Sequence, residues 1–482
     1  MKSSRRQFLA RSSVLPFLGF LPPGYRSPED FYETMEATTS QYRDRKQVFN
    51  MCGYSAPAIP HLRVGYIGLG NRGYASIQRL GRMNAVEILA ICDVYDYPIQ
   101  RAKDFLKSKG CPEPAVYTGS NEAWKGMCER DDLDLIYVLT PTFYHAEMAV
   151  HVLTSGKHAA VEVSAAQRVD DCWRLVDASE RTRKHCVLLE NCVYDFFESM
   201  AINMAHQGVF GEIIHAEGAY INPERPLFEE PQPPHSKESA PWYGSVLAMA
   251  PGNRIPTHGT APICQAMKIG RGDRLDYLTS METDDFIRAK TANDLAASGS
   301  VYHQQFKNKR HAGNVNTTMI RTVKGKTLLV EFDAVNPRPY SRIFQLSGSK
   351  GFAQKYPLPP RIYPDGERLA SAAEMKAFED KYTPELVRFI EKTAKRFGGH
   401  GGMDFTVDWR LVDNLRNGRP MDVDVYDAAL WSSITPLTLW SVMNRSSPID
   451  VPDFTCGAWS TNPPLSLTLQ GGGNTVIREV PG

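Results

Sequence analysis

The sequence predicts an α/β fold in two parts: a parallel sheet wrapped by helices, then an α/β domain with an open, largely antiparallel sheet. Three observations predict it. Val64 to Gly73 reads V-G-Y-I-G-L-G-N-R-G, an apolar run turning through Gly68-x-Gly70-x-x-Gly73 into a helix-compatible segment, Tyr74 to Leu80. A second apolar run, Val86 to Ile91, leads to Asp93, twenty residues beyond Gly73. Beyond Asn191 the βα alternation gives way to strand-rich sequence.

Strand, glycine turn and helix are the context a dinucleotide fingerprint requires. Gly68 permits the tight turn, Gly70 lets the backbone approach a pyrophosphate, and Gly73 lets the helix pack close to the strand. The diphosphate would rest on the free N–H groups and positive dipole end of that helix. Asp93 stands where a carboxylate accepts hydrogen bonds from the adenosine ribose 2′-OH. It favours NAD, because its charge repels the extra phosphate of NADP. Arg72 is read as a neighbour of the phosphates or a solvated cation. The first part is therefore a Rossmann dinucleotide-binding domain.

The elements follow in order. Helix Pro98 to Ser108 sets Ile99, Ala102, Phe105 and Leu106 on one face. A strand at Ala115 to Tyr117, a helix around Asn121 to Glu129 and a buried strand from Leu133 to Leu139 come next. The last ends at Thr142, Phe143, Tyr144 and His145, before helix Ala146 to Ser155. Strand His158 to Val163 brings up Glu162 and Val163, and strand Val187 to Leu189 brings up Glu190 and Asn191. Ligands bind at strand carboxyl ends in parallel sheets, so Thr142 to His145, Glu162, Val163 and Asn191 share one crevice. Helix Glu198 to Gln207 leads to strands at Ile213 to Ile221, Met319 to Thr322, Leu328 to Asp333 and Ile343 to Ser347. Loops Pro223 to Pro241 and Lys355 to Gly366 are long enough to rest over the site. Helices follow near Asp404 to Arg416 and Asp424 to Val442, where Trp431 and Trp440 recur at helical spacing as core.

The boundaries are a signal over 1–23, an arm over 24–60, the NAD-binding domain over 61–191, the substrate domain over 192–459 and a tail over 460–482. Ser4 to Leu9 carries Arg5 and Arg6 in a twin-arginine export pattern before the apolar stretch Val14 to Leu21, which predicts a periplasmic address. A helix is expected over Pro28 to Val48, and the Gly/Pro/Thr-rich tail is expected to fray. The 482 residues suffice for two to three domains, and a net charge of +1 argues against a nucleic-acid partner. No apolar run is long enough to span a bilayer. Nine cysteines without C-x-x-C or Cys/His spacing read as buried thiols, with a single disulfide left open, and no metal site is expected. The oligomeric state stays open, a homo-oligomer included.

With Gly68-x-Gly70-x-x-Gly73, Thr140-Pro141, Glu162-Val163-Ser164 and Thr257-His258-Gly259 in place, the chain resembles the Gfo/Idh/MocA oxidoreductases. Within them it is most similar to the NAD-dependent glycosidases of glycoside hydrolase family 109, typified by α-N-acetylgalactosaminidase. The resemblance runs from about Leu62 to Trp459. Its most specific pieces are Leu189-Glu190-Asn191, Pro256-Thr257-His258-Gly259, Gly399-His400-Gly401-Gly402-Met403-Asp404 and Val451-Pro452-Asp453-Phe454. The resemblance implies cofactor contacts at Asn71, Arg72, Asp93, Thr142 to His145, Glu162, Val163 and Asn191. It implies sugar contacts at Tyr220, Tyr243, Ile255, Pro256, Thr257, His258 and Tyr340. Tyr243 stands where those glycosidases carry arginine, and Ile255 where they carry tyrosine.

The activity implied is redox-neutral cleavage of α-linked amino sugars such as N-acetylgalactosaminides. C3 is oxidised transiently, the C1 group is eliminated, water adds and C3 is reduced again. Many dehydrogenases of the superfamily carry Glu-Lys-Pro where this chain has Glu162-Val163-Ser164, and valine cannot move a proton. His258, read in a polar loop, and Tyr194 are the candidate proton carriers, while His400 stays unassigned. An NAD-dependent sugar or polyol dehydrogenase, and a non-catalytic sugar-binding protein with a retained cofactor, are the alternatives.

Overall fold

Strands buried on both faces set the first layer. The computed structural model describes Met35, Tyr42 and residues 44–229, 250–309 and 311–478. The first sheet holds β1 (Leu62–Ile67), β2 (Val86–Cys92), β3 (Ala115–Tyr117), β4 (Leu135–Val138), β5 (His158–Val161) and β6 (Cys186–Leu188), in the order β3-β2-β1-β4-β5-β6. Every pairing is parallel. Helices α1 (Asn71–Leu80), α2 (Asp96–Ser108), α3 (Ala123–Cys128), α4 (His145–Thr154) and α5 (Val169–Thr182) make the connections. The strand order reverses between β1 and β4, which opens a crevice at their carboxyl ends.

After α6 (Phe196–His206), the chain builds an eight-stranded sheet around β7 (Ile213–Ile221). Helix α7 (Thr257–Ala266) crosses one face of it. The remaining strands are β8 (Leu275–Glu282), β9 (Asn316–Thr322), β10 (Thr327–Asp333), β11 (Gln345–Gly348), β12 (Phe352–Gln354), β13 (Arg361–Tyr363) and β14 (Ile449–Asp450). Their order is β13-β12-β11-β7-β10-β9-β8-β14, and only β7 with β10 is parallel. Helix α8 (Arg288–Ala297) lies between β8 and β9 in sequence. Helices α9 (Ala372–Tyr382), α10 (Glu385–Phe397), α11 (Met403–Arg416) and α12 (Val425–Met443) close the molecule.

Helix α12 joins the two layers. It packs on α5 and β6 of the first and on β8 of the second, and all but Leu430, Trp440 and Val442 of its residues are buried. A helix covered on all sides has no charged face to show, so beyond Asp427 its sequence is apolar apart from small hydroxyl residues such as Ser432, Thr438 and Ser441. Asp424 caps it in a reciprocal box with Asp427, and Arg271 clamps both carboxylates at 2.9 and 2.8 Å. Helix α11 packs on α1 and β1, so late sequence belongs physically to the cofactor layer.

Several expectations are corrected. Helix α5 is absent from the sequence reading although Val169, Cys172-Trp173 and Leu175-Val176 recur at helical spacing and are buried. Strand β8 is also absent from it, because its buried face carries Ser280 and a bulge shifts the register between Leu275 and Tyr277. The Lys355 to Gly366 segment is not a free loop, since β13 within it pairs with β12.

The expected helix to Val48 does not hold over residues 45–48, which are not helical. There the arm packs on its own chain. Tyr42 stacks on Trp173 at 4.8 Å, and Arg45 reaches Asp177 at 2.6 Å and Glu180 at 2.8 Å. The tail does not fray over residues 460–478: Asn84 N–H donates to the Val476 carbonyl at 2.8 Å, and Trp409 Nε1 donates to the Thr475 carbonyl at 2.9 Å. Arg5, Arg6 and Tyr243 lie outside the described residues.

Candidate active site

The glycine turn has the geometry its spacing predicts. Gly68 sits at φ +92°, and a Cβ on it would lie 2.6 Å from the Leu139 carbonyl oxygen. A Cβ on Gly73 would lie 2.1 Å from the Gly68 carbonyl oxygen, so helix and turn touch backbone to backbone. Above Gly70 a Cβ meets nothing within 4 Å, which leaves the turn open for a ligand. No side chain caps α1 at Gly70, so its first N–H groups, Asn71 among them, stay available for an anion. Asp93 closes the adenosine side. Its Oδ2 accepts Leu69 N–H at 2.7 Å and its Oδ1 accepts Tyr95 N–H at 3.0 Å. Burial pushes this carboxyl up from its usual value against those backbone donors. Arg101, which the sequence reading missed, donates to the Leu69 carbonyl at 3.1 Å and lies over the Tyr74 ring. An open turn, an uncapped helix and a fixed carboxylate fit a dinucleotide.

Arg72 stays partly exposed but is not free. Its Nε donates to Glu162 at 3.2 Å and its Nη1 to Asp404 at 3.0 Å, which ties the turn to the end of β5 and to α11. Asn191 donates to the other Asp404 oxygen at 2.6 Å. Thr142, Phe143 and Tyr144 form a one-turn helix after β4, and the two aromatic rings are exposed at the crevice edge. Val163 packs against the core below. His145 differs from expectation. Its ring is fully buried, with Nδ1 at 2.8 Å from the Ser164 carbonyl and Nε2 at 2.6 Å from the Thr140 carbonyl. Burial pushes its pKa down. It joins the ends of β4 and β5 and shapes the wall from beneath, without a ring nitrogen left for a cofactor.

The chemistry concentrates where α7 meets the end of β6. His258 is not in a loop but on the first turn of α7, behind Pro256 and the buried Thr257. Its Nδ1 lies 2.7 Å and 2.9 Å from the two carboxylate oxygens of Glu190, which is fully buried. Burial opposes both charges, yet the Cys192 and Glu190 groups facing the ring raise the His258 pKa well above its usual value. Burial likewise works against ionised Glu190, but His258, Thr257 and the Cys192 N–H hold its pKa below the usual range. A carboxylate on Nδ1 leaves Nε2 as the proton-exchanging nitrogen. Potential ligand atoms of Glu190, Cys192 and His258 lie within 4.8 Å of one another, a cluster of metal-ligating types that the sequence spacing does not announce. With both Glu190 oxygens already on His258, the arrangement is an acid–base pair beside a thiol.

Helix α7 reaches this position because two glycines meet. A Cβ on Gly218 of β7 would lie 2.0 Å from the Gly259 carbonyl oxygen, and one on Gly259 would lie 2.5 Å from Ala219 N. Tyr220, next along β7, sets its ring 5.3 Å from that of His258. Its hydroxyl donates to Glu224 at 2.5 Å and accepts from Asn222 at 3.1 Å. Ile255 joins Tyr220, Phe332 and Ala334 in a small apolar cluster. Tyr340 is partly exposed, and its oxygen accepts from Arg342 Nη1 at 3.0 Å. Arg342 is itself held by Asp195 at 2.9 Å and Glu198 at 2.5 Å.

Tyr194 is corrected outright. Its buried hydroxyl donates to Asp422 at 3.0 Å, inside an ion pair with Arg410 at 2.7 Å, and burial raises its pKa well above the usual value. It serves packing. Glu190, Cys192, Glu224 and Asp404 are brought to the candidate site by the fold, and sequence reasoning did not assign them. Glu190 and Asp404 stood within the family-specific motifs, which was the available signal.

Comparisons agree with this geometry. Residues 62–190 match an oxidoreductase family with an NAD-binding Rossmann fold, and residues 194–461 match the glycosyl hydrolase 109 C-terminal domain. A glycosyl hydrolase family 109 protein of Porphyromonas gingivalis is 44% identical over 412 residues, covering 81% of this chain and 84% of its own. An alpha-N-acetylgalactosaminidase of Bacteroides fragilis is 41% identical over 400 residues, covering 83% and 93%. Among solved structures, a levoglucosan dehydrogenase in complex with NADH and L-sorbose aligns at a TM-score of 0.59 with 17% identity, over 82% of this chain and all of that one. An apo scyllo-inositol dehydrogenase from Lactobacillus casei aligns at 0.58 with 13% identity, over 82% and 99%. These structural likenesses concern the fold alone.

Proposed function

The chain belongs to glycosyl hydrolase family 109, and from that premise we propose that it is an NAD-dependent, redox-neutral glycosidase acting on α-linked amino sugars such as N-acetylgalactosaminides. The observation that carries the reading is the buried Glu190–His258 pair, one partner from each domain, at the crevice end where β5 and β6 stop.

Bound NAD supplies a reversible hydride acceptor, so the sugar can be oxidised at C3 and reduced again with no net change. Oxidation at C3 acidifies the C2 proton, and the rest is proton transfer by this chain. His258 exchanges the proton through Nε2 while Glu190 fixes the tautomer and stabilises the imidazolium. Val163 leaves the usual lysine position without a titratable group. Tyr220 offers its ring face, since its hydroxyl is already engaged by Glu224 and Asn222. Tyr340 offers an exposed phenol whose oxygen is fixed by Arg342. Ile255 adds no directional contact, so the sugar is gripped by one hydrogen bond fewer than where tyrosine stands.

The same reading includes export to the periplasm by the twin-arginine segment. Both parts are tested on protein recovered from the periplasmic fraction, incubated in D2O with an α-N-acetylgalactosaminide and no added NAD. The expected result is cleavage without accumulation of NADH, with deuterium at C2 of the released sugar. Stoichiometric NADH with an intact glycosidic bond would establish a dehydrogenase instead. Protein confined to the cytoplasm would remove the periplasmic address.

A further inference from the structure

Asp404, which enters no step above, binds more of the cofactor crevice than any single residue of the fingerprint. Its Oδ2 lies 3.0 Å from Arg72 Nη1 and 2.9 Å from His400 Nδ1. Its Oδ1 lies 2.6 Å from Asn191 Nδ2, and Arg79 stands 3.9 Å away. One carboxylate on the first turn of α11 therefore orients a side chain of the glycine turn and a side chain at the end of β6. Both side chains stand where the family resemblance implies cofactor contacts. Arg72 reaches onward to Glu162 at 3.2 Å, so a continuous polar chain runs beneath the crevice from β5 to α11.

The segment before α11 is built to deliver that carboxylate. Gly399, Gly401 and Gly402 sit at φ +85°, +72° and +107°, and a Cβ on Gly399 would lie 2.4 Å from Asp404 Oδ2. Only glycine admits the carboxylate so close to the backbone. His400, between them, has a side chain 57% exposed and still spends Nδ1 on Asp404. Fold stability alone does not call for an exposed imidazole on a buried carboxylate that two arginines already face.

We propose that Asp404 and His400 form a clasp that holds Arg72 and Asn191 in their NAD-receiving orientation and slows release of the cofactor. Asp404 is thus a positioning residue. The proposal rests on the NAD-dependent, redox-neutral reading, in which each turnover returns the cofactor to its starting state and gains nothing from letting it go.

The test is release of NADH from reconstituted protein, followed by fluorescence after a chase with excess NAD+, beside melting temperatures of the apo and NAD-loaded forms. Asp404→Asn keeps the shape, removes the charge shared by Arg72 and His400, and is expected to speed release by about tenfold or more, the scale of one charged hydrogen bond. His400→Ala, at an exposed loop position, is expected to speed release by about threefold or more with an unchanged apo melting temperature. In both, the melting increment given by NAD should shrink. Release rates equal to wild type in His400→Ala and in folded Asp404→Asn would overturn the clasp. If Asp404→Asn does not fold, His400→Ala alone decides. Wild-type protein that binds no NADH would instead sink the NAD-dependent reading itself.

Discussion

At the scale of the residue, the Glu190–His258 pair changes how its own role must be tested. Truncating His258 to Ala would leave a fully buried carboxylate unpaired, at a cost of about 3–5 kcal/mol. Lost activity would then be confounded with lost fold. His258→Gln paired with Glu190→Gln removes both charges and keeps the volume. We expect that double variant to stay folded and to lose about two to four orders of magnitude in turnover, the span of a general acid–base group. The pH dependence of stability gives a second readout. His258 has a raised pKa, so its contribution is complete below the ordinary value of 6.5 and fades as pH rises through the folded value. Glu190 has a lowered pKa, so its contribution is complete above the ordinary value of 4.5 and fades as pH falls through the folded value. The pair thus contributes most between those ordinary values. Denaturant titrations should show a shallower alkaline loss of stability in the double variant than in wild type. Equal slopes would mean the pair is not ionised as described.

Elements explain what the sequence did and did not disclose. The fingerprint glycines, Asp93 and the fully buried strands β4 and β5 were legible because each has one physical reason visible in a few residues. Strand β8 and the first half of β9, ahead of the expected Met319 to Thr322, hid because their buried face is partly polar. Ser280, Asn316 and Thr318 are buried and bond to one another, whereas Met319 is exposed. Alternation read from hydrophobicity therefore points the wrong way there. Helix α7 hid behind a Pro-Thr-His-Gly stretch that reads as a turn, although its Gly259 is needed for contact with β7 and not for flexibility. That distinction is testable. Gly259→Ala raises the helix propensity, so any loss must come from its methyl, 2.5 Å from Ala219 N. Overpacking of this kind costs about 1–3 kcal/mol and must tilt α7, which carries His258. We expect a lower melting temperature and a fall in kcat larger than any change in NAD affinity, measured side by side. Unchanged kcat would show that α7 need not sit against β7 for His258 to work.

Across the whole molecule, the tail over residues 463–478 acts as a strap, which composition could not reveal. The tail is rich in Gly, Pro and Thr and has almost no regular structure, yet it completes the hydrogen bonding of α11. Asp413, fully buried, accepts Gly473 N–H at 2.8 Å and the Thr475 hydroxyl at 2.8 Å. Arg410 donates to the Thr468 carbonyl at 2.9 Å, and Arg478 N–H to the Arg82 carbonyl at 2.7 Å just past α1. The tail thereby fixes α11 against α1, the two helices whose first turns carry Asp404 and Arg72. A chain truncated after Asn462 would leave Asp413 and the Trp409 indole without these partners, at about 1–3 kcal/mol for each buried group left unsatisfied. A fraying tail would cost nothing. We therefore expect truncation to lower the melting temperature of the apoprotein by several degrees and to weaken NAD retention, because the strain falls on the layer that holds α1. A truncated chain with wild-type melting temperature and wild-type NADH release would show that α11 is held by its apolar face alone.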